Sequence, residues 1–333
     1  MKNWRKLLWP LVPFYYIGSF INKLLYDFNL KKSSEFSFPV ITVGNISAGG
    51  TGKSPFVLYL VDLFKSNYNV AVLSRGYGRK SKGFHWVTPS SSYTQVGDEP
   101  LQLKITYPQV TVAVDADRKN GIDIIQNENK SDIIVLDDAF QHRRVKGKFQ
   151  ILLTAYYNLY SDDFPLPAGD LREPMSAYKR ANVIVVTKCP DTLSLEDQVS
   201  IKKQLKVKDY QSLFFTKIKY SSNVISINSN VPLIDFIKTD FTLITGIAEP
   251  KPMIDYLNKL GANYNHLNYP DHYSFNDEDF NSFESLDLIL TTQKDYMRLK
   301  DYENIQHKLF YLPISISFLE GEDRFKDLIF GSL

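Results

Sequence analysis

A glycine-rich segment near the amino terminus constrains the possible folds of this chain more than any other feature. The β-branched run Val40–Val43 predicts a buried parallel strand, and the loop after it contains Gly49, Gly50 and Gly52. A helix is predicted to begin at Lys53, because apolar residues recur at helical spacing from that point. A strand, a glycine-rich loop and a helix in this order predict a loop that binds phosphate groups.

The residue types of this loop suit phosphate chemistry. Backbone amides would surround the phosphates, Lys53 would reach the terminal oxygens, and the hydroxyl of Ser54 could ligate Mg²⁺. Ser47 stands where the strict motif has glycine, so an ordinary tight turn before a helix is the alternative interpretation. The predicted nucleotide-binding residues are Ser47, Ala48, Gly49, Gly50, Thr51, Gly52, Lys53 and Ser54.

Size, charge and cysteine content narrow the class of protein. The chain has 333 residues, of which 44% are hydrophobic, enough for two domains or for one large α/β domain with an appendage. A net charge of +2 argues against a general nucleic-acid-binding protein. Cys189 is the only cysteine, which excludes a disulfide framework within the chain and a cysteine-based metal site, and this fits the reducing cytosol.

The first 34 residues form a basic and aromatic segment. They contain six lysines and arginines against the single acidic residue Asp27, together with eight aromatic residues. The uncharged run Leu7–Ile21 is short for a membrane span, and Pro10 and Pro13 interrupt it. The helix predicted after Pro13 has an apolar face formed by Phe14, Ile17, Ile21, Leu24 and Phe28. We expect an amphipathic helix that lies on an anionic membrane surface, and a helix packed on the protein's own core is the alternative.

Short apolar runs alternate with helical patterns over the next part of the chain. The predicted strands after Val40–Val43 are Val70–Ser74, Thr111–Val114, Ile133–Leu136, Ile151–Thr154 and Val183–Thr187. This alternation predicts a doubly wound parallel sheet, in which ligands bind at the carboxyl ends of the strands.

The pattern changes in the last third of the sequence. Leu213–Tyr220 and Val224–Ile227 predict a pair of amphipathic strands. A second α/β set follows, with a helix around Met253–Leu260 and predicted strands Phe241–Thr245, Leu286–Thr292 and Phe310–Ile316. We therefore expect a membrane-associated segment in residues 1–35, a core domain in residues 36–224 and a smaller carboxyl-terminal α/β domain in residues 225–333.

Two pairs of adjacent carboxylates lie at the ends of predicted elements. Asp137 and Asp138 follow a buried strand, where carboxylates beside a phosphate-binding loop hold Mg²⁺ directly or through water. Asp98 and Glu99 precede a predicted helix and offer a base for a hydroxyl group and a further ligand for the metal. Turn formation is the alternative for the first pair, and helix capping is the alternative for the second.

Three arginine-containing segments follow predicted strands, as the active-site loops of this architecture do. They are Ser74–Arg79, Phe140–Arg144 and Leu166–Pro174. Guanidinium groups suit phosphate oxygens on a nucleotide or on an anionic substrate. The alternative is that these arginines are ordinary surface residues.

Three further segments are candidates for a function. His272 lies in the loop Pro270–Phe275 and is either a catalytic residue or a surface residue. Thr187–Pro190 and Thr292–Asp295 partly match the Asn-Lys-x-Asp loop with which GTPases recognise the base, and neither has the full form.

Taken in order, these segments resemble the tetraacyldisaccharide 4′-kinase family, the lipid A 4′-kinases of Gram-negative bacteria. The resemblance extends from Val40 to about Arg298. Its segments are Gly44–Pro55, Ser74–Arg79, Gly97–Pro100, Asp137–Val145, Leu166–Pro174, Thr245–Pro250, Asp271–Phe275 and Thr292–Asp295. The imperfect phosphate-binding loop is itself a feature of the family.

The resemblance implies a specific reaction and location. The enzymes of this family move the γ-phosphate of ATP to the 4′-hydroxyl of an acylated glucosamine disaccharide 1-phosphate, at the cytoplasmic face of the bacterial inner membrane. The implied fold is α/β, with a P-loop NTPase-like parallel-sheet domain, a second smaller α/β domain and an amino-terminal amphipathic helix that docks on the membrane. ATP and Mg²⁺ are the implied cofactors, and the lipid substrate and an anionic membrane surface are the implied partners.

The resemblance also implies roles for individual residues. Lys53 and Ser54 would serve the phosphates and Mg²⁺, and Asp98 would be the base, with His272 as its partner from the second domain. The implied metal-site residues are Ser54, Glu99, Asp137 and Asp138. The implied substrate-binding residues are Arg75, Tyr77, Arg118, Gln141, His142, Arg172 and Glu173.

Two other functions remain open at the level of the sequence. One is a P-loop kinase for another membrane-bound or phosphorylated sugar. The other is a regulatory NTPase switch, which requires a full base-recognition motif and a glutamine that positions water, and neither is evident in the sequence. The sequence does not indicate an oligomeric state.

Overall fold

The computed structural model describes residues 3–28 and 30–333, so Lys2 of the basic segment lies outside the described residues. The described chain is an α/β structure with two β-sheets. Its strands are β1 (Val40–Gly44), β2 (Val70–Ser74), β3 (His85–Trp86), β4 (Thr111–Val114), β5 (Ile133–Leu136), β6 (Phe149–Ala155), β7 (Val183–Thr187), β8 (Ser212–Tyr220), β9 (Asn223–Ile225), β10 (Asn230–Pro232), β11 (Phe241–Thr245), β12 (Tyr264–Asn268), β13 (Ile289–Thr292), β14 (Leu309–Leu312) and β15 (Ile314–Phe318).

Helices connect and cover these strands. The α-helices of the described residues are α1 (Val12–Asp27), α2 (Lys53–Phe64), α3 (Tyr93–Val96), α4 (Asp98–Thr106), α5 (Arg118–Asn129), α6 (Leu195–Gln204), α7 (Leu233–Phe236), α8 (Lys251–Lys259), α9 (Asp277–Glu284), α10 (Gln293–Leu299), α11 (Glu303–Gln306) and α12 (Glu322–Phe330). The 3₁₀ helices are Asn3–Leu11 and Met175–Arg180.

The large sheet has nine strands in the order β15-β8-β7-β6-β1-β5-β2-β4-β3. The seven inner strands are parallel, and the edge strands β3 and β15 are antiparallel to their neighbours. Strand β1 lies near the centre, where Ile41 is opposite Val135 of β5 and Phe149 of β6. The predicted parallel sheet is confirmed, and its carboxyl edge gathers the loops that follow β1, β2, β5, β6 and β7.

Strand β1 is buried on both faces, which explains why its sequence is apolar apart from the buried Thr42. Ile41 and Val43 pack in the same cluster as Phe56 and Leu60 of α2. Val40, on the other face, packs in the cluster that contains Ile122 of α5. The helix predicted at Lys53 therefore begins directly beside the central strand.

The small sheet has six strands in the order β10-β9-β14-β13-β11-β12. The predicted pairing of Leu213–Tyr220 with Val224–Ile227 is wrong, although both strands exist. Strand β8 pairs with β7 and β15 in the large sheet, whereas β9 pairs with β10 and β14 in the small sheet. Only Ser221 and Ser222 separate β8 from β9, and the chain passes from one sheet to the other at this point.

The single strand predicted over Phe310–Ile316 is also two strands. Strands β14 and β15 are separated by Pro313, whose missing N–H cannot take part in a sheet. Strand β14 belongs to the small sheet, and β15 pairs with β8 of the large sheet. Helix α12 follows β15 and contributes the buried residue Phe325. The ring centroid of Phe325 lies 5.8 Å from that of Phe56 in α2.

The division into domains at residues 35 and 224 stays a prediction.

Helix α1 presents most of its predicted apolar face to solvent. Phe14, Ile17 and Ile21 are at least half exposed, and Val12 is the buried residue of this helix. None of the helices in residues 3–28 and 30–333 has the length and apolarity that a bilayer span requires. Docking of this face on a membrane stays a prediction.

Candidate active site

The loop between β1 and α2 is held open by its neighbours. Gly49 and Gly52 have φ angles of 106° and 78°, which glycine adopts without strain. Thr51 is fixed from both sides, because its hydroxyl accepts a hydrogen bond from the Asn45 amide at 2.8 Å and its carbonyl accepts one from the Thr187 hydroxyl at 2.9 Å. Across the described residues, the backbone amides of Gly49, Gly50 and Gly52 donate to no acceptor. The loop therefore offers free amides to a phosphate group.

The first residues of this loop are tied to the segment that follows β6. The backbone N–H of Ala48 donates to the carbonyl oxygen of Asp170 at 2.7 Å, and Ser47 forms a β-bridge with Leu171. The amide of Ala48 is thus already occupied, so the amides that remain for phosphate lie further along the loop. Ser47 replaces the motif's first glycine at a buried position that the bridge stabilises.

Lys53 and Arg172 meet at one carboxylate. The Nζ atom of Lys53 lies 3.4 Å from Oδ1 of Asp138, and Nη1 of Arg172 lies 3.3 Å from Oδ2. Burial opposes ionisation of Asp138, but these two cations outweigh it and lower the pKa of the carboxyl group. Asp138 has a φ of 47°, an uncommon conformation for a residue with a side chain that recurs at functional sites.

Asp137 lies among negative charges. Burial and the carboxylates of Glu99 and Asp138 raise its pKa to about 7. Its Oδ2 accepts a hydrogen bond from Ser74 at 3.0 Å, whereas its buried Oδ1 has no hydrogen-bond partner in the described part of the chain. A cation at this point would relieve the repulsion and satisfy the free oxygen.

The donor set fits Mg²⁺. Ser54, Glu99 and Asp137 line one small cavity, and all three offer hard oxygen ligands. Within the described ranges, no group of three or more histidine, cysteine or acidic residues is placed to hold a metal ion unaided. Mg²⁺ bound to a nucleotide needs only one or two protein ligands, because water and phosphate oxygens complete its shell. These residues therefore fit a metal ion that binds together with nucleotide.

Asp98 connects the two sheets. It begins α4 on the large-sheet side, and its Oδ2 accepts hydrogen bonds from Nδ1 of His272 at 3.1 Å and from Nη2 of Arg298 at 2.8 Å. Its Oδ1 accepts one from the backbone N–H of Glu99 at 2.9 Å. Burial alone would raise the pKa of Asp98, but His272, Lys294 and Arg298 together hold it well below its usual range. Because an ionised carboxylate only accepts hydrogen bonds, Nδ1 of His272 carries the proton.

The sequence analysis assigned no role at this junction to three residues, Lys294, Asp295 and Arg298. Arg298 is almost fully buried. Its Nη1 atom lies 3.1 Å from Oδ1 of Asp295 and donates a hydrogen bond to the carbonyl oxygen of Gly246 at 3.2 Å. Lys294 forms an ion pair with Glu99, which raises the pKa of Lys294 and lowers that of Glu99 in spite of burial. Lys294 and Asp295 belong to the partial base-recognition motif, and the structure places them beside the Asp98–Glu99 pair instead.

The residues predicted to bind substrate fall into two groups. Arg172 lies at the phosphate end of the site through Asp138, and Tyr77 lies beside the Asp98 junction, with its ring centroid 5.2 Å from that of His272. Tyr77 is 66% exposed, so it is open to a ligand. Arg75 is exposed in the same loop after β2.

The other predicted substrate residues point into the protein in this structure. Arg118 is 2% exposed and donates to the carbonyl oxygens of Asp115 and Asp137, and Gln141 donates to that of Asn45. Burial and the charge of Arg118 lower the pKa of His142 to about 4, which leaves it neutral at pH 7. Glu173 pairs with Arg180 at 2.7 Å. Their role in substrate binding stays a prediction.

Comparison with known proteins gives a consistent result. The sequence profile of the tetraacyldisaccharide-1-P 4′-kinase family matches residues 4–333. The chain is 44% identical over 329 residues to a tetraacyldisaccharide 4′-kinase from Flavobacterium johnsoniae, covering 98% of this chain and 96% of that protein. It is 38% identical to the corresponding protein of Bacteroides thetaiotaomicron, with coverage of 98% and 92%. The crystal structure of LpxK from Aquifex aeolicus in complex with ATP aligns with a TM-score of 0.80 at 30% identity, covering 98% of this chain and 99% of the other.

The substitution Asp137→Asn should change the pH dependence of stability in solution without Mg²⁺ and nucleotide. The folded protein holds the Asp137 proton up to about pH 7, whereas the unfolded chain releases it near 3.8. The folded state therefore binds more protons between these values, so the free energy of unfolding should fall as the pH rises through this range. The variant lacks this group and should lose less stability over the same range.

Denaturant unfolding at about pH 5 and about pH 8 measures the difference. Asp123→Asn, in an exposed ion pair of α5, is the matched control and should follow the parent protein. If Asp137→Asn shows the same pH dependence as the parent protein, Asp137 does not hold a proton in the folded state.

Proposed function

Because this chain belongs to the tetraacyldisaccharide-1-P 4′-kinase family, it is a kinase that uses ATP to phosphorylate the 4′-hydroxyl of a lipid A precursor, and we propose how its residues divide the reaction. The observation that carries the proposal is the contact of Asp98 with His272 and Arg298, beside Glu99 and Asp137. This contact brings a base and a metal-binding edge together from different parts of the sequence.

The loop between β1 and α2 binds the phosphates of ATP. Its free amides, the amino-terminal end of α2 and Lys53 supply positive potential where negative charge accumulates. Lys53 and Arg172 share Asp138 in this structure, and both can turn to phosphate oxygens. Phosphoryl transfer depends on alignment and charge neutralisation more than on covalent help, so this arrangement supplies what the reaction needs.

Ser54, Glu99 and Asp137, which line one cavity, would hold Mg²⁺ at this edge together with the neighbouring Asp138. When bound, the ion neutralises charge on the phosphate oxygens. Its positive charge would also keep Asp137 ionised at neutral pH, because it offsets the repulsion from Glu99 and Asp138.

Asp98 accepts the proton of the 4′-hydroxyl as that oxygen bonds to the γ-phosphorus of ATP and the bond from this phosphorus to the bridging oxygen breaks, with ADP as the leaving group. His272 orients the carboxylate and balances its charge. A carboxylate with a low pKa removes this proton only as the new bond forms, when the hydroxyl becomes acidic. The acceptor reaches Asp98 beside Tyr77, whose exposed ring lies next to His272.

The lipid acceptor explains the exposed face of α1. Each methylene that leaves the bilayer costs about 0.8 kcal/mol, so the enzyme must work at the membrane surface. Tyr15 of α1 donates a hydrogen bond to the carbonyl oxygen of Arg172 at 2.9 Å, and Arg5 pairs with Asp170. The proposed membrane-docking segment is thus attached to the loop that carries Arg172, at the cytoplasmic face of the inner membrane.

The substitution Lys53→Ala should reduce kcat for lipid phosphorylation by about 10²-fold or more, because the ammonium stabilises charge on the transferred group. The fold should persist, since Lys53 makes one long ion pair with Asp138. Transfer of labelled γ-phosphate to the purified lipid measures the effect. Lys119→Ala, in an exposed ion pair of α5, is the control. Near-normal turnover by a folded Lys53→Ala variant would refute the assignment of the phosphate-binding loop.

Asp98→Ala and His272→Ala should each reduce kcat by about 10²- to 10⁴-fold, with little change in ATP binding. If the two residues act as one unit, the double variant should be scarcely worse than the more damaged single variant. His266→Ala, in β12 of the small sheet, controls for loss of a histidine there. Fully additive losses would show two independent roles, and a fully active His272→Ala would show that this histidine is an ordinary surface residue.

Replacing Phe14, Ile17 and Ile21 of α1 with serine should release the protein from anionic vesicles and raise the apparent KM for lipid. High salt should weaken the remaining binding, since it screens the basic residues of the segment. The control replaces Leu195 and Val199, which are exposed apolar residues of α6. Unchanged co-sedimentation of the folded α1 variant with vesicles would mean that this helix does not dock on the membrane.

A further inference from the structure

The order of the strands in the large sheet indicates on which side of β1 each end of a bound nucleotide lies. Asp138, which pairs with Lys53, follows β5 on one side of β1, and the carboxylates of the metal site lie on that same side. The terminal phosphate of ATP therefore points toward β5 and β2. The nucleoside end must lie on the other side of β1, toward β6 and β7. This step rests on the proposed binding of ATP by the loop before α2.

The segment after β6 contacts the first residues of the loop from that other side, and the cation that reaches Gly50 from there is Lys188. It directly follows β7, whose last residue, Thr187, donates its hydroxyl hydrogen bond to the carbonyl oxygen of Thr51 at 2.9 Å. The Nζ atom of Lys188 lies 3.6 Å from the point that a Cβ atom on Gly50 would occupy. The ammonium group of Lys188 therefore lies next to the loop at Gly50, within ordinary van der Waals distance of that position.

The backbone of Lys188 is also unusual. Its φ of 57° places it in the left-handed region, as for Asp138 and His272, which belong to the site. Lys130 and Lys206 share this conformation, but they terminate α5 and α6, where left-handed residues are common. Lys188 follows a strand, so no helix terminus accounts for its conformation.

The ammonium of Lys188 lacks a partner in the part of the chain that the structure describes. It makes no hydrogen bond and no ion pair there, although the side chain is half-buried. Burial and the charge of Lys294 lower the pKa of Lys188, whereas the charge of Glu249 raises it. A desolvated cation without a partner costs free energy, which a polar ligand at this place would offset.

We propose that Lys188 binds the nucleoside half of ATP, with its ammonium donating to oxygens of the ribose and its alkyl stem packing against the base. Lys53 and Lys188 then hold opposite ends of one nucleotide. The role gives a function to the Thr187–Pro190 segment, whose sequence matches a base-recognition loop only in part. It adds a contact with the nucleoside to a site whose other residues serve the phosphates and the acceptor.

Calorimetric titration of the full chain with two ligands tests this role. Mg²⁺-ATP carries the nucleoside, whereas Mg²⁺-tripolyphosphate carries phosphates alone. Lys188→Ala should weaken ATP binding by about 10- to 100-fold, the range for one hydrogen bond from a charged group. Binding of tripolyphosphate should change by less than about threefold, since it lacks the contacted groups and a distant charge is screened.

Three further variants make the result decisive. Lys206→Ala removes another lysine with a left-handed backbone, and it should bind both ligands as the parent protein does. Lys188→Asn removes the same ammonium with a residue that tolerates this backbone, so it should repeat the Lys188→Ala result even if that variant folds poorly. Lys53→Ala should weaken both ligands, because it acts on the phosphates.

Each contrary outcome has a distinct meaning. Unchanged ATP binding by folded Lys188→Ala or Lys188→Asn overturns the role of Lys188 and leaves the phosphate-binding loop intact. Equal weakening of ATP and tripolyphosphate also overturns it, because Lys188 would then contact phosphate. Full binding of both ligands by Lys53→Ala refutes phosphate binding at the loop, and the role of Lys188 falls with it.

Discussion

The carboxylate of Asp98 is the point on which the arrangement of the site depends. It is almost fully buried, and such a charge is tolerated only with close partners of opposite charge. Those partners, His272 and Arg298, come from the small-sheet side of the molecule, whereas Asp98 begins a helix of the large-sheet side. The two sides must therefore meet before the carboxylate of Asp98, the proposed base, is stabilised. In the proposed mechanism, a site completed by this contact would position the acceptor hydroxyl and exclude water together, which would favour transfer over hydrolysis of ATP.

The rest of the site follows from the edge of a parallel sheet. Because parallel strands end on the same side, the loop after β1, the carboxylates after β5 and Lys188 after β7 converge although they are far apart in the sequence. Lys53 and Arg172 neutralise Asp138, so positive charge is in place before a nucleotide arrives. Helix α1, the proposed membrane-docking helix, is attached to this edge of the sheet, since Tyr15 donates a hydrogen bond to the carbonyl oxygen of Arg172.

Local patterns in the sequence predicted much of the fold, whereas the long-range contact of Asp98 with His272 was expected only through the family resemblance. The runs at β2, β4, β5 and β7 are buried on both faces, so their bounds were predicted correctly. The pairing of β8 with β9 was wrong because adjacent strands went to different sheets, which depends on the whole topology. Motifs in the sequence identified the loop residues and Asp98 as candidates, whereas no motif pointed to Arg298. Its partner lies 200 positions away, and no spacing in the sequence records such a contact.

The central claim is that this edge of the sheet transfers phosphate to a lipid hydroxyl and not to water. The most direct measurement follows labelled γ-phosphate from ATP in the presence of purified acyl-disaccharide 1-phosphate in detergent micelles, with mass spectrometry to locate the added group. The account predicts one new phosphate on the 4′-oxygen of the lipid and little free labelled phosphate. Release of the label to water at the same rate with and without the lipid would contradict the account.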